Sequence, residues 1–175
     1  MKEPVHLEGA LVRIERFEER DLSERYLGWL NDPETMRFSN QRFRDHDLAS
    51  CRHYFDTFAD SENDFLSVRR RGGGDAIGTM TVYHNQHHGT ADVGIMIGDR
   101  SCWGRGFGQD AWDTVLSWLL GPRGTRKVTA GTVASNRGMV RLMERSGMTL
   151  EGVRRGQELI DGTPEDIVLY GKFAR

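Results

Sequence analysis

The chain has 175 residues, with 24 Lys and Arg against 26 Asp and Glu, a formal net charge of −2 and a pI near 6.3. That length suits a single domain, 1–175, with a real core, and the near-even charge argues against a mainly electrostatic nucleic-acid binder. No apolar run approaches the roughly 18 residues of a membrane span. The start, Met1-Lys2-Glu3-Pro4-Val5-His6, lacks a signal-peptide core, and Cys51 and Cys102 have no metal spacing, so a cytoplasmic protein with reduced thiols is expected.

Leu11 to Arg16 alternates apolar and polar residues and reads as a first strand. Asp21, with Glu24 three residues on, suits the N-cap of a helix carrying Tyr26, Leu27, Trp29 and Leu30. Asn31-Asp32-Pro33-Glu34 breaks that helix, and a polar stretch flecked with aromatics, Phe38 to Phe43, follows. A second helix is expected from about Asp47 to Phe58, then a strand pair, Phe65–Val68 and Ile77–Tyr83. The basic run between them, Arg69-Arg70-Arg71, reads as a solvated turn. His84, His87 and His88 resemble a metal cluster only at first glance. Neighbouring side chains in an extended segment point opposite ways, and no further ligand has matching spacing, so a loop without metal is expected.

Ala91 to Gly98 reads as a strand with Val93, Ile95 and Ile97 on one face, and Asp99 to Gly108 as a loop with Gly104, Gly106 and Gly108 at alternate positions. A helix follows, because Trp112, Val115, Leu116 and Leu119 recur at i, i+3, i+4 and i+7. Strand, glycine loop and helix start together make an anion site, since the first helical N–H groups lack internal partners and glycine lets a phosphate come close. Gly106-x-Gly108-x-x-Ala111 also fits a dinucleotide fingerprint, but the region some 20 residues on has no acidic residue for a ribose, and a Walker loop would need Gly-Lys-Ser/Thr. Gly121-Pro122 ends this helix, and Lys127 to Thr132 reads as the next strand. Ser135 or Asn136 suits the N-cap of a further helix that Gly147 closes, and Thr149–Ile160 with Ile167–Phe173 reads as a hairpin turning at Asp161-Gly162.

Trp103-Gly104-Arg105-Gly106-Phe107-Gly108 resembles the pyrophosphate loop of the GNAT superfamily of N-acetyltransferases, in the branch that acetylates ribosomal-protein N-termini, spermidine and amino sugars. Trp103 stands where the general pattern has Gln or Arg. Asn136 to Met148 resembles a second motif of that family, almost position for position. The resemblance implies a mixed α/β fold: a mainly antiparallel sheet of six to seven strands with helices on both faces. Its central parallel pair, the strands at Ala91 and Lys127, would splay apart.

It also implies acetyl-CoA as co-substrate, no metal, and direct transfer to an amine acceptor, with no nucleic acid or membrane partner and a monomer or homodimer as the working form. The loop from Trp103 through Gly104, Arg105, Gly106, Phe107 and Gly108 to Gln109 would hold the pyrophosphate, Arg105 adding charge. Backbone around Ile95, Met96 and Ile97 would pair with pantetheine, with Gly94 suiting a bulge that opens the gap. Asn136 keeps the residue that bonds the pantetheine arm, its plainer role being the N-cap. Met139 and Met143 hold helical cofactor positions that carry Ser or Tyr in better-known members. A thioether cannot donate a proton, so water, Ser135 or Tyr83 would serve, or the thiolate leaves unaided.

Two carboxylates are candidate bases: Asp92, where the family often has Glu, and Glu158, which resembles a proposed base in the ribosomal-protein branch. Glu158 is preferred, because Asp92 lies earlier on the central strand. Phe38, Asn40, Gln41 and Tyr83 are candidate acceptor residues. A non-catalytic acyl-CoA-binding module is the alternative function, kept open by the two methionines, and a nicotinamide oxidoreductase is disfavoured by the missing acidic residue.

Overall fold

Alternation and helical period meet at the centre of the chain. The computed structural model describes residues 3–175. Strand β5 (Thr90–Ile97) sends Ala91 and Val93 into the main core, with Ile95 and Ile97 packed against it, while Met96 meets an aromatic cluster on the other face. The apolar stripe of α3 (Phe107–Leu120), with Ala111, Trp112, Val115, Leu116 and Leu119 all buried, lies against the first of these faces. α4 (Arg137–Arg145) joins it there through Met143. α1 (Glu24–Leu30) and α2 (Leu48–Asp56) cover the opposite face, where Phe17, Tyr26, Trp29, Phe58 and Phe65 form a ring cluster.

The remaining strands are β1 (His6–Glu8), β2 (Val12–Arg16), β3 (Asp64–Arg70), β4 (Ala76–Asn85), β6 (Lys127–Val133), β7 (Thr149–Ile160) and β8 (Thr163–Phe173). They form one eight-stranded sheet in the order β1-β2-β3-β4-β5-β6-β8-β7. Every neighbouring pair is antiparallel except β5 with β6, which α3 connects as a parallel pair requires. The strand beyond the six or seven expected is β1, whose three residues are too few for an alternation to show. β8 begins at Thr163 rather than Ile167, because Asp161 (φ 51°) and Gly162 (φ 78°) close a two-residue hairpin directly onto it.

Three local readings are corrected. Ser23, not Asp21, caps α1, its Oγ accepting from the Tyr26 N–H at 3.3 Å. Asp21 is buried and pairs with Arg69, which sits 7% exposed in β3 rather than in a solvated turn. His84 lies in β4 with its Nε2 2.9 Å from the buried Asp64, which also pairs with Arg16 at 2.6 Å. These contacts join residues far apart in sequence, which local spacing does not encode.

Candidate active site

β5 and β6 share three rungs, Thr90↔Lys127, Ala91↔Val128 and Asp92↔Thr129, and then part. β5 goes on pairing with β4 as far as Ile97↔Gly78, and β6 with β8 as far as Val133↔Ile167. Val93–Ile97 and Ala130–Val133 therefore turn facing backbone edges into a V-shaped split with no strand between them. The expected bulge at Gly94 is absent. The β4–β5 ladder stays in register through Thr81↔Gly94, and the split opens on the β6 side alone. Glycine at 94 serves a close cross-strand approach, since a Cβ there would lie 2.9 Å from Thr81 Oγ1.

The glycine loop sits at the mouth of this split. Trp103 donates its indole N–H to the Ile97 carbonyl at 2.7 Å, so the loop is pinned to the last residue of β5. Gly104 (φ 69°) and Gly106 (φ 87°) both take the left-handed conformation, and nothing lies within 4 Å of where a Cβ of Gly104 would be. The first internal bond of α3 runs from the Asp110 N–H to the Gly106 carbonyl at 3.0 Å, so the N–H groups of Phe107, Gly108 and Gln109 precede the helical ladder. The guanidiniums of Arg70 and Arg105 lie 5.4 and 5.9 Å from the centre of the Phe107 ring. Free helix-start amides, the positive end of the helix dipole and the Arg105 guanidinium make this a place for an anion, while Arg70 alongside is paired with Asp99 at 3.3 Å.

Two loop residues also have contacts beneath the loop. A Cβ on Gly108 would point at Ile97 (3.6 Å) and Leu142 (3.8 Å), so its bare face serves packing beneath the loop. The Gln109 side chain turns to α4, bonding Ser146 Oγ at 2.9 Å and Asp113 at 3.1 and 3.2 Å. The backbone N–H groups of these two residues stay outside the helical ladder. Asp110, in the same first turn, accepts from the N–H groups of Ala10, Leu11 and Val12 at 3.0, 2.7 and 3.0 Å and ties the helix start to the β1–β2 turn.

Across the split, Asn136 caps α4: its side-chain oxygen accepts from the Met139 N–H at 3.3 Å and its amide donates to Thr132 Oγ1 at 3.1 Å. Met143 is 0% exposed and belongs to the core; Met139 is half-buried beside it. The Ser135 hydroxyl, at the β6–α4 junction, is buried with no hydrogen-bond partner among the described residues.

On the α1–α2 face the acceptor candidates form two groups. Tyr83 lies directly across the β4–β5 ladder from Asp92, and its hydroxyl meets Tyr54 of α2 at 2.7 Å. Asp92 Oδ2 accepts from Thr129 Oγ1 at 2.7 Å, at the last rung before the split. Although Asp92 reaches solvent, the protein around its carboxyl raises the pKa above the ordinary value, and the Thr129 hydrogen bond offsets part of that rise.

The second group lies in the segment between α1 and α2. Asp32 and Glu34 pair with Arg100, beside the end of β5, at 2.5 and 2.8 Å. Further on, Arg37 reaches Asp161 at 3.3 Å, Asn40 donates to Glu158 at 3.2 Å, and Arg42 donates to the Leu159 carbonyl at 2.9 Å. The segment thus spans from the β5 side of the split to the tip of the β7–β8 hairpin. Under its far end is a hollow of about 530 Å³ lined by Asn40, Arg42, Phe43, Arg44, Glu158 and Leu159. Phe38 is half-buried beneath Arg37, and the Gln41 side chain makes no hydrogen bond among the described residues. Thr129 and Arg42 were not singled out from sequence; the parallel register exposes the first, and a contact to a hairpin over a hundred residues away exposes the second.

A split parallel pair with a left-handed glycine loop at its mouth coincides with a family match: residues 12–149 fit the acetyltransferase (GNAT) domain. The chain belongs to the GNAT family of N-acetyltransferases. Solved GNAT structures share its fold. Spermidine N-acetyltransferase from Vibrio cholerae, in complex with CoA and spermine, superposes with a TM-score of 0.82 at 18% identity, covering 93% of this chain and 95% of that one. The ribosomal-protein-S5-alanine acetyltransferase of Vibrio fischeri gives 0.82 at 16% identity, with 97% of each chain covered. The microcin C7 self-immunity acetyltransferase MccE, in complex with acetyl-CoA and AMP, gives 0.78 at 16% identity, covering 94% of this chain and 93% of that one. No curated protein matches this GNAT chain at significant sequence similarity. Among the described residues no group of three or more His, Cys, Asp or Glu is placed to hold a metal, and no helix is long and apolar enough to cross a membrane.

Proposed function

We propose that this GNAT protein transfers the acetyl group of acetyl-CoA directly to the primary amine of a small molecule or a protein N-terminus. The observation that carries the reading is the loop Trp103–Gln109, whose left-handed glycines and helix-start amides lie at the mouth of a split with two unpaired backbone edges. The loop would take the pyrophosphate, with the Arg70 and Arg105 guanidiniums beside it. The edges at Ile95, Met96 and Ile97 would bond the pantetheine amides, Asn136 and Met139 flanking from α4. Bound acetyl-CoA supplies a thioester, a carbonyl open to attack with a good leaving group.

The rest falls to the chain's own groups. A neutral amine is needed for attack, and a carboxylate takes its proton directly or through one water. A β5 backbone N–H donates to the oxyanion that develops at the carbonyl. Once the carbon–sulfur bond breaks, the thiolate takes a proton; the buried, unpartnered Ser135 hydroxyl is the protein donor we favour.

Two carboxylates compete as base. Glu158 shares its hollow with Asn40, so it sits with residues read as acceptor-binding. Asp92 stands at the fork itself, and desolvation of its carboxyl raises its pKa from the ordinary aspartate value. Glu158→Gln and Asp92→Asn separate them: the base variant should lose most of kcat at pH 7, keep acetyl-CoA affinity and recover as pH rises. Turnover of acetyl-CoA with a panel of primary amines, beside a binding titration, tests the whole reading. Tight binding without transfer to any amine would favour the non-catalytic acyl-CoA module instead.

A further inference from the structure

The hollow between the 40–44 segment and β7 is lined by charges of both signs that form no direct ion pair among the described residues. Arg42 is half-buried, and every acceptor it bonds is neutral: the Ser39 carbonyl at 2.8 Å, the Asn40 side-chain oxygen at 3.4 Å and the Leu159 carbonyl at 2.9 Å. Its guanidinium also lies over the Phe43 ring at 4.2 Å. These contacts hold the group in place and leave it without a direct carboxylate partner, Asn40 standing between it and Glu158, and with part of its five-donor fork unused. Arg44, on the same wall, has no ion pair among the described residues, and Phe43 is 72% exposed at the rim.

The opposite wall carries Glu158, whose single hydrogen bond comes from the neutral Asn40. Directly across the β7–β8 ladder from it is Glu165. Neither carboxylate has a cationic partner among the described residues, although like charges facing each other across a ladder repel. Arg42, Arg44 and Glu158 thus line one cavity without forming an ion pair, in a chain where most other arginines facing carboxylates close the gap.

We propose that this hollow receives an acceptor that carries an anionic group, a carboxylate or a phosphate, as well as the reacting amine. The anion docks on Arg42 and Arg44, and the amine end lies toward Glu158. This rests on the acetyltransferase reading above and narrows its substrate class: a dipolar amine satisfies both walls, whereas a polyamine leaves two guanidiniums opposed to its own charge. Charge-assisted, fork-shaped pairing with Arg is strong enough to set a preference of about tenfold or more between otherwise matched amines.

The test uses twins that differ only by the anion: glucosamine 6-phosphate against glucosamine, and lysine against cadaverine, with spermidine as a cationic control. The wild-type protein should show kcat/KM at least about tenfold higher for an anionic twin, the two pairs telling phosphate from carboxylate. In Arg44→Gln, an exposed change with no contact to lose, and in Arg42→Gln, that ratio should collapse toward unity while the KM for acetyl-CoA stays put. Equal or better turnover of glucosamine, cadaverine and spermidine overturns the proposal, as does a ratio that survives both substitutions. If acetyl-CoA binds but no amine is acetylated, the acetyltransferase reading itself fails. Calorimetry then decides the hollow: Arg44-dependent binding of glucosamine 6-phosphate over glucosamine upholds the site, and equal or no binding of the two removes it.

Discussion

Asp92 and Thr129 face each other on the last rung that β5 and β6 share, joined by a 2.7 Å hydrogen bond from the Thr129 hydroxyl to the Asp92 carboxylate. Beyond this pair the sheet divides, so the carboxylate stands where the protein's two halves begin to separate.

Burial raises the Asp92 pKa, and the Thr129 hydrogen bond works against it. A folded-state pKa above the unfolded one means that the native protein binds more protons in that window. Stability therefore falls as pH rises through it, and the penalty remains above it. Asp92→Asn removes the charge and keeps an acceptor for Thr129, so it should raise Tm at pH 7 and leave it unchanged at pH 3. Thr129→Val removes the donor. If Asp92 is the base, the acid limb of kcat/KM should move to higher pH in that variant; a limb that stays in place assigns the base elsewhere.

Gly106 and Gly108 should respond differently to the same small change. Gly106 has φ 87°, so Gly106→Ala meets left-handed strain of about 1–2 kcal/mol and should also weaken acetyl-CoA binding about tenfold or more. At Gly108 an added methyl finds ordinary contacts with Ile97 and Leu142. Gly108→Ala should therefore stay within about 0.5 kcal/mol of wild-type stability and bind acetyl-CoA nearly as well. Thermal melts and calorimetry on both proteins would reveal a reversed order.

Trp103→Phe keeps the ring and deletes the donor that pins the loop to Ile97. One hydrogen bond is worth about 1 kcal/mol, so acetyl-CoA affinity should drop about fivefold with little loss of stability. Undiminished affinity would mean that the loop keeps its shape without this anchor.

Asp110→Ala strands three backbone N–H groups of the β1–β2 turn. Part of the loss is made good by water, and a cost of about 2 kcal/mol in denaturant unfolding is expected. Asp110→Asn should fall between, since an amide offers one acceptor oxygen in place of two. A cost under about 0.5 kcal/mol for the alanine variant would show that the turn holds itself.

The features legible in sequence were those with a local period. β5 shows its alternation, α3 its helical stripe, and Asn136 and Gly147 the ends of α4, and the structure has each of them. Asp21 misled because it and Ser23 are both cap formers two residues apart, and what separates them is Arg69, 48 positions away. Met143 misled for a similar reason. Its helical position matches a family site, but which way that face turns depends on how α4 lies against the core, where Met143 is fully buried. Glu158 and Asn40 could be named separately as candidates, yet their contact spans 118 residues and no spacing rule links them. Glycine in a strand suits a bulge, but at Gly94 the register is unbroken and the missing Cβ makes room for Thr81 instead.

The three shared rungs are a narrow join within the sheet. β1–β5 form one leaf and β6–β8 the other, and besides those rungs they are coupled by α3, by α4 and by the segment that ties Arg100 to the hairpin tip. A ligand lying along both free edges would supply the backbone bonds that a missing strand would have made, and so would stiffen the join. Occupancy then becomes a mechanical state of the whole molecule. A Tm that climbs with ligand concentration, and amides of Ile95–Ile97 that exchange more slowly when the split is filled, would report the closing of the two leaves without any reaction taking place.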